Sequence, residues 1–147
     1  KDKRGTEVDT ESFECVAVID EFIDNFLAYR RSNYNIAQRA VEADGGCAMA
    51  HLIAVVARVF CETDHQEQAD CHMQLARGIL DAKHGGLQGN RSSDKGFKRS
   101  SMWLDALAFL RRGLVESSIE KHLEIAHEFP SDVMSVKLCQ ILFLNLG

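Results

Sequence analysis

Four residues near the middle of the chain have side chains that bind soft metal ions: Cys61, His65, Cys71 and His72. Zinc takes four thiolate or imidazole ligands in a tetrahedron, commonly drawn from closely spaced pairs. Cys61 and His65 meet that spacing. Cys71 and His72 are adjacent, so on a helix they point about 100° apart, which makes joint ligation awkward. The set reads as an inter-helix turn carrying polar residues, with a metal site as the alternative reading. His51 lies in an almost wholly apolar stretch. A buried neutral imidazole needs a hydrogen-bond partner, so His51 reads as a satisfied core histidine, and as a ligand or base in the alternative.

Other constellations carry less. Gly85-Gly86-Leu87-Gln88-Gly89 follows a helix rather than a strand and lacks the lysine-serine of a phosphate-binding loop. It reads as a connector. His122 and His127 are five apart and do not share a helix face. No inward pair of carboxylates repeats on two helices, and no nucleophile, base and orienting group stand at a recognisable spacing. No catalytic set, cofactor or metal is therefore expected.

The positioning elements are all helical. The single proline, Pro130, matters because proline breaks helix interiors; a chain with one can run helical almost throughout. Residues 1–10 are charged and expected to be flexible. Apolar residues at intervals of three and four then predict a first helix from about Glu11 to Arg31 and a second from Tyr34 to Ala43. Asp44-Gly45-Gly46 breaks the chain. Cys47 to Cys61 is apolar on nearly every side, the mark of a central helix. A fourth helix runs from about His65, with Asp64 as its cap, to Lys83. Asp94 caps a fifth that reaches Arg112, Gly113 turns the chain, Val115 to Phe129 forms a sixth, and Ser131-Asp132 starts a seventh that runs to Leu146. No strand is expected.

Charge and cysteine narrow the class. The net charge of −5 argues against nucleic-acid binding, which needs a basic surface. The local cluster Arg91, Lys95, Lys98 and Arg99 reads as a solvated loop and helix start. Five cysteines, an odd number, look like small hydrophobes in a reducing, intracellular and cytoplasmic setting rather than a disulfide framework. An organelle is the alternative if a targeting segment has been removed, since the chain opens on Lys1. No stretch approaches the length of a membrane span.

The chain also repeats. Phe109-Leu110-Arg111-Arg112-Gly113 returns 34 residues later as Phe143-Leu144-Asn145-Leu146-Gly147. Met102 with Val136, Leu104 with Leu138, and Leu107 with Ile141 agree in kind. A stride of 34 is that of tetratricopeptide repeats, paired antiparallel helices that bury a common core by stacking. Within the unit, small Ala106 and Ser118 allow close helix approach, Phe109 fills the adjacent gap, Gly113 turns and Pro130 closes.

The order of these motifs resembles the tetratricopeptide repeat protein 38 family over about residues 12–147. Val41 to Asp44 with Met49-Ala50-His51, Phe109 to Pro130, and Pro130-Ser131-Asp132 through Gly147 carry the resemblance. The family tends to place histidine where this chain has Trp103, and histidine-aspartate where it has Gln140 and Ile141. The resemblance implies a helical-repeat fold and the amino-terminal part of a longer chain. The expected architecture is thus all-α, about seven helices stacked as a right-handed solenoid over residues 11–147, a fragment or a truncated solenoid. The expected function is non-catalytic binding of other proteins, as a scaffold holding a peptide or helix in a concave groove. A structural subunit of a larger assembly is one alternative, and an enzyme or metal protein using His51 or the Cys61/His65 region another. Lys95, Lys98, Arg99, Arg111 and Arg112 are the candidate partner-binding residues.

Overall fold

A computed structural model describes residues 1–60, 66–85 and 94–146. Among them are seven helices and no strand: α1 (Phe13–Leu27), α2 (Asn33–Ala43), α3 (Ala48–Phe60), α4 (Gln66–Gly85), α5 (Lys95–Arg111), α6 (Val115–Glu128) and α7 (Val133–Leu146). None is long and apolar enough to cross a membrane.

Each helix packs against the next as an antiparallel neighbour, except that α4 meets α5 more sparsely. The start of α1 meets the end of α2 where Cys15 Sγ donates to the Ala40 carbonyl. The end of α3 meets the start of α4 where Arg58 Nε donates to Gln68. In the α5–α6 pair, Ser118 Oγ donates to the Ala106 carbonyl at 2.8 Å, both residues being fully buried. α3 is the hub. Every residue from Ala48 to Arg58 is buried, because α1, α2, α4 and α5 all pack on it.

The helix ends follow local chemistry. Ser12 caps α1 by accepting from Cys15 N–H, and Asp94 caps α5 by accepting from Gly96 and Phe97 N–H, as side-chain oxygens do for unpaired first-turn donors. Asp132 does the same for α7 through Ser135 N–H at 3.0 Å. α5 ends at Gly113, whose φ of +77° lets Leu114 N–H reach back to the Phe109 carbonyl at 2.9 Å, a glycine-terminated cap. α1 stops at Leu27, short of the expected Arg31, because Tyr29 takes φ +53°.

Two expectations change. Residues 1–10 make defined contacts with the helices. Asp2 accepts from Arg4 and Thr6 N–H, and Val8 and Asp9 lie against Gly96, where an added Cβ would stand 2.8 Å from the Val8 carbonyl carbon. The 34-residue stride is also not the stride of burial. The buried sets Arg99, Ser100, Trp103, Leu104, Leu107 and Met134, Ser135, Leu138, Cys139, Leu142 match at an offset of 35. At 34, buried Ala106 faces exposed Gln140, and half-buried Phe109 faces Phe143, 55% exposed. One residue turns a helix by about 100°, so α7 presents a different face from α5. α7 also touches α1, bringing the last helix back to the first. Gly147 lies outside the described residues.

Candidate functional site

The residues singled out by type divide between the interior and the surface. His51 is buried and both ring nitrogens are engaged. Nε2 lies 3.0 Å from the Gly45 carbonyl and Nδ1 2.9 Å from His72 Nδ1. A carbonyl only accepts, so Nε2 carries the hydrogen; Nδ1 of His51 accepts and His72 Nδ1 donates. His72 is the neutral donor, its pKa pushed to about 4 by burial, then by the Arg58 charge and the neighbouring His51. Of the zinc pattern, Cys61 and His65 lie outside the described residues, as do Asp64, Arg91 and the connector from 86 to 89. Cys71 is exposed. Among the described residues no three or more Cys, His, Asp or Glu side chains converge on a metal position.

Arg99 is a correction. Expected at the surface, it is 2% exposed, and its Nε donates to Asp132 Oδ2 at 2.7 Å. Trp103 Nε1 donates to the same oxygen at 2.8 Å, and an Arg99 terminal nitrogen donates to the Glu7 carbonyl at 3.1 Å. A buried guanidinium is tolerated because it is ion-paired with Asp132 and also hydrogen-bonded to a backbone carbonyl. Arg99→Glu would therefore put a second carboxylate beside Asp132 in the core and cannot report on binding. Beside this pair, His122 Nδ1 lies 3.2 Å from Ser135 Oγ, its Nε2 has no partner among the described residues, and its ring meets Trp103 edge-on at 5.2 Å. Burial pushes its pKa to about 4. Serine, histidine and aspartate are all present here, but Asp132 orients Arg99 and Trp103 rather than His122, and all three side chains are sealed from solvent.

The remaining cations of the set are at the surface. Lys98 pairs with Glu128. Arg111 donates to Asp70 at 2.6 Å and also to Gln66, tying α5 to α4. Lys95 and Arg112 are exposed.

Two surface features were not anticipated in this form. The outer face of α7 carries Val136 (45% exposed), Phe143 (55%) and Leu144 (81%), which with Gln140 fall within one sector of about 100°. The opposite face holds the buried set. α7 is thus apolar on both sides.

The second feature is the turn from α1 to α2. Tyr29 (φ 53°) and Ser32 (φ 76°) are both left-handed non-glycine residues, each costing roughly 1–3 kcal/mol unless the surroundings enforce it. Asn25 and Asn33 enforce it. Asn25 Nδ2 donates to the Arg31 carbonyl at 2.7 Å and to Asn33 Oδ1 at 2.9 Å, and Asn33 Nδ2 donates to the Arg30 carbonyl at 3.1 Å. The turn borders a cleft of about 610 Å³ walled by Phe26, Tyr34, Phe60 and Ile141, with Arg30 and Arg31 at its rim. Lys137 of α7 stands 4.1 Å over the Tyr29 ring, and Arg58 4.6 Å over the Tyr34 ring. Two asparagines eight apart around a Tyr-Arg-Arg-Ser turn were the only sequence signal.

No family model, curated protein or solved structure matches the chain.

Proposed function

We propose that the chain is a non-catalytic binding module of the tetratricopeptide-like helical type, as its likeness to the tetratricopeptide repeat protein 38 family suggests, and that the outer face of α7 receives an amphipathic helix of a partner protein. The observation that carries this is the apolar sector of Val136, Phe143 and Leu144 on a helix already buried on its other side. Exposed apolar surface favours burial at about 25 cal/mol per Å², and a helix lays such residues into a partner as anchors spaced at three, four and seven. Val136 and Phe143 are seven apart. α7 packs against α6 and touches α1, and Val136, Phe143 and Leu144 stay exposed beside those contacts.

The test is a photocrosslinking phenylalanine analogue in place of Phe143, with the same analogue at Leu75, an exposed residue of α4, as control. Crosslinking from 143 should join a helical, amphipathic segment of one partner, and Val136→Glu with Leu144→Glu should abolish it. Equal capture from 75, or capture that survives both glutamates, would remove this reading. Sedimentation separates an adaptor from a permanent subunit: an adaptor is monodisperse alone, whereas a subunit aggregates until its neighbour is co-produced.

A further inference from the structure

The geometry points to the cleft at the α1–α2 turn as a second contact, one that binds an acidic peptide segment in which carboxylates flank an aromatic or branched apolar residue. This deepens the reading of the chain as a protein-binding module and rests on it, but it uses a different surface.

Four observations converge. First, charge: neither Arg30 nor Arg31 forms an ion pair among the described residues, although acidic residues outnumber basic ones in the chain and most other surface cations are paired. Among the described residues no carboxylate lines the cleft, though Arg30 also borders a second pocket that Asp20, Glu21 and Asp24 line. Guanidinium groups grip carboxylates through two parallel hydrogen bonds, so this rim is a receptor for acidic side chains. Second, shape: the walls of Phe26, Tyr34, Phe60 and Ile141 and a volume of about 610 Å³ suit one large apolar side chain between charged neighbours, the usual balance of a binding cleft. Third, preorganisation: the strained Tyr29 and Ser32 bracket Arg30 and Arg31, and the Asn25–Asn33 clasp fixes their backbone, so little order has to be created on binding. Lys137 and Arg58 similarly hold the Tyr29 and Tyr34 rings. Fourth, continuity: Ile141 in the wall and Lys137 beside Tyr29 belong to α7, so an extended segment leaving the cleft meets the helix whose outer face is apolar.

The experiment is an NMR titration of the full chain with a six-residue peptide carrying three carboxylates around one Phe, and with its Asn/Gln counterpart. The acidic peptide should shift the backbone signals of residues 29–34 and 137–141 saturably, weaken as salt rises, and lose affinity about tenfold or more in Arg30→Ala with Arg31→Ala. Arg77→Ala, an exposed cation of α4, should leave it unchanged. Equal binding of the neutral peptide, shifts that survive the double alanine, or the absence of saturable shifts would overturn the assignment. Phenylacetate binding as tightly as the peptide would overturn it too, by making the ligand a small aromatic acid. Val136→Glu with Leu144→Glu keeps the two proposals apart: it should abolish the α7 crosslink and spare the peptide, whereas failure of the cleft alone leaves the α7 reading standing.

Discussion

At the scale of single residues, the interior of this protein is organised by polar side chains with few or no alternatives. His122 is fully buried and held neutral, its pKa pushed to about 4 by burial, against which Asp132 works weakly. The unfolded chain titrates near the ordinary value. Between the two values the unfolded state binds a proton that the native state refuses, so stability is present above the unfolded pKa and drains away as pH falls. Going from about pH 7 to about pH 5 should cost about 2 kcal/mol through this group alone, read by urea unfolding at the two pH values. His122→Gln should flatten that slope. A slope unchanged by the substitution would show that the ring is not the group responsible. His72 shifts in the same direction and adds to the effect.

At the scale of elements, α5 meets the amino-terminal segment at Gly96, the closest approach made at any described glycine. A Cβ on Gly96 would lie 2.8 and 2.9 Å from the Val8 carbonyl atoms and 3.0 Å from Asp9 N, all backbone, which cannot swing aside. Alanine is the better helix former by about 1 kcal/mol, so propensity alone predicts that Gly96→Ala stabilises α5. The contact predicts the reverse: a net loss of about 2 kcal/mol and faster proteolysis within residues 1–10. Stabilisation without a change in cleavage would contradict the packing. The elements were the most legible part of the sequence. Three-and-four spacing, the all-round apolar run of α3 and local caps together located the seven helices, and Asp94, Gly113 and Asp132 marked ends because capping is local chemistry. Ser12 and Tyr29, which set the ends of α1, were not read. Nor was the true phase of α7, since Phe109 and Phe143 share a type but not a surrounding.

At the scale of the whole molecule, one carboxylate joins three helices to the chain's beginning. Asp9, its side chain 1% exposed, accepts from Ala48 and Met49 N–H at 2.8 and 3.1 Å, from Ser100 Oγ at 2.8 Å and from Lys83 Nζ at 3.2 Å. It caps α3 from 39 residues away, where the positive end of the helix favours an anion. Asp9→Ala orphans buried donors on α3 and α5, and we expect a loss of about 2–4 kcal/mol, measured by denaturation, with Asp9→Asn recovering part of it. A loss below about 0.5 kcal/mol would mean the donors find water instead. The contact of α7 with α1 belongs to this scale too. In an open stack each pair touches only its neighbours, and here the last helix also meets the first.

Composition, period and capping residues determined by themselves that the chain is helical, where its helices lie and that α3 is central, because those properties depend on neighbours within a few positions. Only the tertiary structure decided that Arg99 is a core residue and Arg30 with Arg31 a surface pair, that residues 1–10 are packed, and which face of α7 is left apolar and bare. Those outcomes depend on partners tens of residues away, such as Asp132 for Arg99 and Asp9 for Ala48, and a side chain's type does not say whether such a partner will arrive.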